Sequence, residues 1–141
     1  MKNNYLALAI VCGACVLLLN SPPHASAHGG HSHGAANVTI PETAEAIVDE
    51  INKHHAAITA AVTGKNLKAV HDLSETMTAL AKALPAKVAE DKKANVERTT
   101  ANVVALLDSL HHAADAGSQP YSGIELKKLD GAVNTLTKQV K

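Results

Sequence analysis

The feature that most restricts the fold of this chain is the spacing of its apolar residues, which recur every three or four positions in four successive stretches. This spacing is typical of one face of an α-helix, and no stretch alternates between polar and apolar residues as a half-buried strand does. The four predicted helices cover residues 41–63, 67–84, 86–114 and 124–140.

Helix-breaking residues separate the four stretches and leave only short connections between them. Gly64 ends the first stretch, Pro85 follows the second, and residues 117–120 (Gly-Ser-Gln-Pro) precede the fourth. Four amphipathic helices with short connections favour an all-α fold, an antiparallel up-down four-helix bundle. Because the chain has no Phe or Trp, its core must consist of Leu, Val, Ile and Ala.

The apolar positions of each predicted helix define the side that faces the core. The residues predicted to point inward are Ala44, Ile47, Val48, Ile51, Ile58 and Val62 in the first helix; Leu67, Val70, Leu73, Met77, Leu80 and Leu84 in the second; Val96, Val103, Leu106, Leu107 and Leu110 in the third; and Leu126, Leu129, Val133, Leu136 and Val140 in the fourth.

Residues 1–27 are predicted to be a signal peptide that is cleaved on export. Their apolar run, Leu6 to Leu19, is shorter than the roughly 20 residues that span a bilayer, and Ala25-Ser26-Ala27 supplies small residues for cleavage. Cys12 and Cys15 lie inside the apolar run, whereas a lipid-attachment cysteine would end it. We therefore expect a cleaved protein, located in the periplasm or secreted, that meets the membrane only through its signal peptide.

Cleavage after Ala27 would leave 114 of the 141 residues, which is enough for one hydrophobic core. It would remove one charged residue, Lys2, so 12 basic side chains would remain against 13 acidic ones. A nearly neutral chain attracts neither nucleic acid nor an anionic membrane. Eight of the nine histidines would remain, since His24 alone is lost. Histidine is thus the residue type in clear excess.

Residues 28–40 contain too few apolar groups to pack and are predicted to form a flexible arm rich in His and Gly, ahead of a bundle over residues 41–141. Three histidines of this arm, His28, His31 and His33, are close enough in the chain to surround one metal ion. The alternative is a solubilising tail whose histidines are incidental.

Histidines also occur near the predicted ends of three helices. His54-His55 lies in the last third of the first helix, His71 in the first turns of the second, and His111-His112 near the end of the third. In an up-down bundle these ends lie together, and at 1.5 Å per residue the histidines differ in height by about one helical turn. They could therefore converge on one ion.

The direction of each side chain around its helix selects among these histidines. At 100° per residue, His55 and His111 fall within the apolar faces and form the predicted central pair. His71 and Asp130 flank these faces at matching positions of the second and fourth helices, and His54 lies at an edge. His112 points outward and is excluded.

Imidazole and carboxylate ligands together suit a divalent transition metal such as Cu, Zn, Ni or Co. The alternative is that each histidine separately complements the dipole of its helix end. A b-type haem, with Met77 and a histidine as axial ligands, would lack the aromatic residues that line a haem pocket. No nucleophile lies beside a base, so we predict that the protein is not an enzyme.

Two short matches suggest an internal duplication. His54-His55-Ala56-Ala57 matches residues 111–114, and Leu67-Lys68-Ala69-Val70 matches Leu126-Lys127-Lys128-Leu129. Each half would then be one helical hairpin. The alternative is chance similarity between helices rich in Ala, Lys and Leu.

The chain resembles the small His-containing helical proteins that bacteria export alongside heavy-metal efflux systems. The resemblance rests on the signal, the His-Gly-rich start and the segments His54-His55, Leu67-Lys68-Ala69-Val70-His71, Leu80-Ala81-Lys82-Ala83-Leu84-Pro85 and Leu126-Lys127-Lys128-Leu129-Asp130. It implies periplasmic binding of copper, zinc, nickel or cobalt, with a metal-efflux component as a partner. It carries over no ligand set.

Three functions follow from these patterns. The first is a periplasmic protein that buffers, sequesters or senses a transition metal without catalysis. The second is a structural or adaptor protein of the cell envelope whose histidines are incidental. The third is a haem bundle for electron transfer.

Overall fold

A computed structural model describes residues 38–141, so the predicted signal peptide and residues 28–37 of the predicted arm lie outside the described part. The described chain contains four α-helices: α1 (Ala44–Thr63), α2 (Lys68–Ala83), α3 (Glu90–Asp115) and α4 (Gln119–Val140). A 3₁₀ turn, Leu84–Lys87, connects α2 to α3, and no strand occurs in residues 38–141. The predicted all-α four-helix bundle is confirmed.

The helices follow one another around the bundle. Each packs against the helices before and after it, α4 returns to α1, and α1 and α3 occupy opposite corners. Contacts at the helix ends give the directions. The Lys141 ammonium lies 2.7 Å from a carboxylate oxygen of Asp49 near the start of α1, whereas the Gln119 amide at the start of α4 donates to the carbonyl of Val62 at the end of α1. Helices α1 and α4 are therefore antiparallel.

The helix ends follow local chemistry, and at three places they differ from the predicted ends by three or more residues. Thr43 caps α1, because its hydroxyl accepts a 3.2 Å hydrogen bond from the Ala46 amide, so the helix begins at Ala44 and not at Pro41. Pro85 stands at the start of a 3₁₀ turn, which delays α3 until Glu90.

Helix α4 begins at Gln119, five residues before the predicted start at Ile124. The prediction treated Pro120 as a breaker, but proline is well suited to the first turn of a helix, where its missing N–H is not needed. The break lies three residues before Pro120, at Gly117, whose φ of +66° is accessible to glycine and ends α3.

The core consists of aliphatic side chains, as predicted. All the predicted inward positions of α1 and α4 are buried, and so are most of those in α2 and α3. The exceptions, Leu67, Leu73 and Leu106, are half-buried and pack against the core from its edge. The spacing of apolar residues thus predicted which side of each helix is buried.

Two residues of the predicted arm lie within the described part of the chain and contact the bundle. Val38 and Ile40 are half-buried and pack against the core. Within residues 38–141, no helix combines the length and apolarity that a membrane-spanning segment needs.

Candidate metal centre

Two histidines and one aspartate meet where α2 begins and α3 ends. His71 is the fourth residue of α2, and Asp115 is the last residue of α3. His111 precedes Asp115 by four residues, which places both side chains on the same side of α3, one turn apart. The contact between His71, at the start of α2, and Asp115, at the end of α3, shows that these neighbouring helices are antiparallel.

The donor atoms of these residues are close together. His111 Nε2 lies 2.8 Å from Asp115 Oδ2, and His71 Nδ1 lies 3.7 Å from Asp115 Oδ1. The two imidazole rings are arranged edge to face, with centroids 4.2 Å apart and planes at 70°. One donor atom from each residue lies within 4.8 Å of the other two, and no other His, Cys, Asp or Glu group of three or more in residues 38–141 does so.

The group is close to the size that a small divalent ion requires. Bonds of about 2.0–2.1 Å in a tetrahedral site put neighbouring ligand atoms roughly 3.3 Å apart. The 2.8 and 3.7 Å separations end on different oxygens of Asp115, and the donor atoms taken one per residue lie within 4.8 Å of one another. A bound ion would draw these atoms together and take the place of the contact between His111 and Asp115. The group could therefore hold a metal ion through two nitrogens and one oxygen.

The surroundings of the group favour a cation that exchanges with solvent. The side chains of His71 and His111 are 24% and 23% exposed, whereas that of Asp115 is 54% exposed, so the group opens to solvent on the aspartate side. Asp115 also lies at the C-terminus of α3, where the helix dipole is negative and disfavours another negative charge. A bound cation would offset this repulsion.

The other predicted ligands do not join this group. His55, predicted at the centre of the site with His111, instead lies with its Nε2 2.7 Å from Asp130 Oδ1, between α1 and α4. His54 lies 4.0 Å from Glu50 on its own helix. The arm residues His28, His31 and His33 lie outside the described residues.

The structure thus brings together His71 with His111, and His55 with Asp130, but not His55 with His111 as a ligand pair. The physical reason is the arrangement of the helices. Because α1 and α3 occupy opposite corners, the aliphatic core separates their inner faces, and polar side chains meet instead at the edges between neighbouring helices. The flanking positions of His71 and Asp130 are therefore where cross-helix contacts form.

Sequence reasoning missed Asp115. It placed the end of the third helix at Ala114, so Asp115 was assigned to the following connection. The signal that could have found it is its position four residues after His111, a spacing that places two side chains on the same side of a helix.

Every histidine in residues 38–141 has a carboxylate oxygen within 4.0 Å. Besides the contacts above, His71 Nε2 lies 3.5 Å from Glu75, and His112 lies 3.6 Å from Asp108. His112 is 75% exposed, which agrees with its predicted outward direction. Of these contacts, those around Asp115 alone place two imidazoles against one carboxylate.

Comparison with known proteins adds no assignment to this geometry: no protein-family model, no curated protein and no solved structure matches the chain.

Proposed function

We propose that the protein binds one divalent transition-metal ion through His71, His111 and Asp115 and thereby buffers, sequesters or senses that metal outside the cytoplasm. The observation that carries the proposal is the convergence of three donor atoms within 4.8 Å from two different helices. Two imidazoles and one carboxylate suit Zn, Cu, Ni or Co. The predicted signal peptide supports the location, and the excess of histidine supports the metal.

The group has a solvent-exposed side and a cavity beside it. Three protein ligands leave a fourth position to water, which is the arrangement of catalytic zinc sites as well. A cavity of about 660 Å³ is lined in part by His111 and Glu75. Asp115 is more than half exposed, so the side of the group that it forms is open to solvent. Exposure of this kind suits an ion that is taken up and released, which supports the binding role.

Calorimetric titration of the exported protein with Zn(II), Cu(II) and Ni(II) at pH 7.5 tests the proposal. We expect a saturable site of one ion per chain that disappears in the double variant His71→Ala and His111→Ala. The matched control is His112→Ala, which removes an exposed imidazole from the same turn of α3 and should leave the site intact. A visible spectrum of the same sample checks the haem alternative.

The predicted arm requires a second control, because its histidines would also bind metal. Deletion of residues 28–34 should remove a weaker set of ions and keep the single site of the bundle. Loss of all metal binding on this deletion, or unchanged binding in the double variant, would show that His71 and His111 do not form a site.

A further inference from the structure

We infer that Glu75 is a positioning residue of the proposed metal site, which holds the His71 ring in the orientation and tautomer that present Nδ1 to the ion. The inference rests on the proposed function. It adds a residue that does not itself bind the metal. The sequence patterns did not single out this residue, and it is not part of the three-residue group.

The two nitrogens of His71 face different carboxylates. Nδ1 lies 3.7 Å from Asp115, on the side of the proposed ion, and Nε2 lies 3.5 Å from Glu75 Oε1. Glu75 follows His71 by four residues in α2, so the two side chains lie on the same side of the helix, one turn apart. The carboxylates of Asp115 and Glu75 therefore approach opposite nitrogens of one ring.

This arrangement matches what a metal-binding imidazole needs. When one ring nitrogen binds an ion, the ring must be neutral and its hydrogen must sit on the other nitrogen. That N–H is commonly donated to a carboxylate, which fixes the tautomer and the ring direction and makes the ligating nitrogen more basic. With an ion on Nδ1, the hydrogen of His71 would be on Nε2, facing Glu75.

The distances distinguish this role from direct ligation. Glu75 is outside the group whose donor atoms lie within 4.8 Å of one another. Its contact with His71 is longer than an ordinary hydrogen bond, and we expect it to shorten once an ion fixes the ring. The Glu75 side chain is 32% exposed, so its charge is retained without a large cost of burial.

Zn(II) affinity of the exported protein, measured by competition with a chelator, tests the inference in three variants. Glu75→Ala should weaken Zn(II) binding by about 10- to 100-fold, the usual effect of losing such a partner. Glu75→Gln keeps an acceptor oxygen and should weaken binding less. The matched control is Glu50→Gln, since Glu50 faces His54 at the same four-residue spacing and with similar exposure. The Zn(II) affinity of this variant should equal that of the parent protein.

A nuclear magnetic resonance measurement of the His71 ring nitrogens gives a readout that a loss of helix stability would not produce. In the Zn(II)-bound parent we expect metal on Nδ1 and hydrogen on Nε2, and in Glu75→Ala an altered Nε2–H signal with unchanged helicity by circular dichroism. Unchanged affinity and an unchanged ring signal in Glu75→Ala would overturn the inference.

Three outcomes separate the inference from the proposed function. If Glu75→Ala removes the site as completely as His71→Ala does, Glu75 is itself a ligand and the positioning role is wrong. If the parent binds no Zn(II) through His71 and His111, the proposed function fails and the inference fails with it. Binding that depends on both histidines but not on Glu75 would overturn the inference alone.

Discussion

At the scale of single residues, Asp115 has the most informative position in the described chain. Its carboxylate contacts two imidazoles, yet it lies at the helix end whose dipole disfavours a negative charge. In the metal-free protein, the 2.8 Å contact of Asp115 with His111 and the repulsion from the helix dipole act in opposite directions on stability. A bound cation, in contrast, is attracted both by the carboxylate and by the negative end of the helix.

Replacement of Asp115 should therefore separate binding from stability. In Asp115→Asn we expect Zn(II) affinity to fall at least tenfold, because the oxygen ligand loses its charge. The free energy of unfolding of the metal-free protein should change by less than about 1 kcal/mol, since the lost contact and the relieved dipole repulsion offset each other. Urea unfolding without metal and chelator competition with Zn(II) measure the two quantities. A large loss of metal-free stability with unchanged affinity would mean that Asp115 serves the helix end and not an ion.

At the scale of secondary-structure elements, the sequence predicted buried faces well and cross-helix contacts poorly. Ile51, Leu107 and Leu129 lie in the core because burial follows the period of the helix, which one sequence displays directly. The partner of His55 does not follow from that period. It depends on which helices are neighbours and on how far each is rotated, and both are set by the packing of the whole bundle.

The same limit explains why the predicted central pair, His55 and His111, does not form. A helical angle of 100° per residue places His55 and His111 toward the interior, but each is about one-fifth exposed and lies at an edge of its apolar face. The chemistry of the predicted site, imidazoles with a carboxylate, could be read from the residue types. The grouping of His71, His111 and Asp115 required the structure.

An ion bound between α2 and α3 would connect two elements and stabilise only the folded chain. At a free ion concentration of about 100 times the dissociation constant, this adds roughly 2.7 kcal/mol to the free energy of unfolding. For a domain of this size, each kcal/mol raises the midpoint of thermal unfolding by roughly 4–8 °C. Protons compete with the ion, because ligating imidazoles must be neutral. The added stability should therefore be complete at pH 7.5 and be lost as the pH falls to about 5.

Thermal unfolding with and without Zn(II) at pH 7.5 and pH 5 measures this effect. The shift at pH 7.5 should persist after deletion of residues 28–34 and in His55→Ala, whose imidazole contacts α4 and not the group on α3. An equal shift in the double variant His71→Ala and His111→Ala would place the ion elsewhere.

At the scale of the whole molecule, the bundle consists of two hairpins, α1–α2 and α3–α4, that meet along two seams. One seam, between α2 and α3, carries His71 and His111. The other, between α4 and α1, carries Asp130 and His55. If the two hairpins exchange places, α1 takes the position of α3, and α4 takes the position of α2. His55 then occupies the place of His111, and Asp130 occupies the place of His71. The segments Leu67-Lys68-Ala69-Val70 and Leu126-Lys127-Lys128-Leu129 immediately precede His71 and Asp130.

The contact between His55 and Asp130 then has a consequence for redesign: we expect two substitutions to convert this seam into an ion site. Thr59 follows His55 by four residues, as Asp115 follows His111, and its hydroxyl now donates to the carbonyl of His55. In a chain that carries His71→Ala and His111→Ala, the changes Thr59→Asp and Asp130→His should restore one tightly bound Zn(II) per chain, now between α1 and α4. Titration of this redesigned chain against its double-alanine parent measures the gain. If no ion is gained, the two seams differ in shape as well as in residue type, and the apparent exchange of hairpins does not extend to their chemistry.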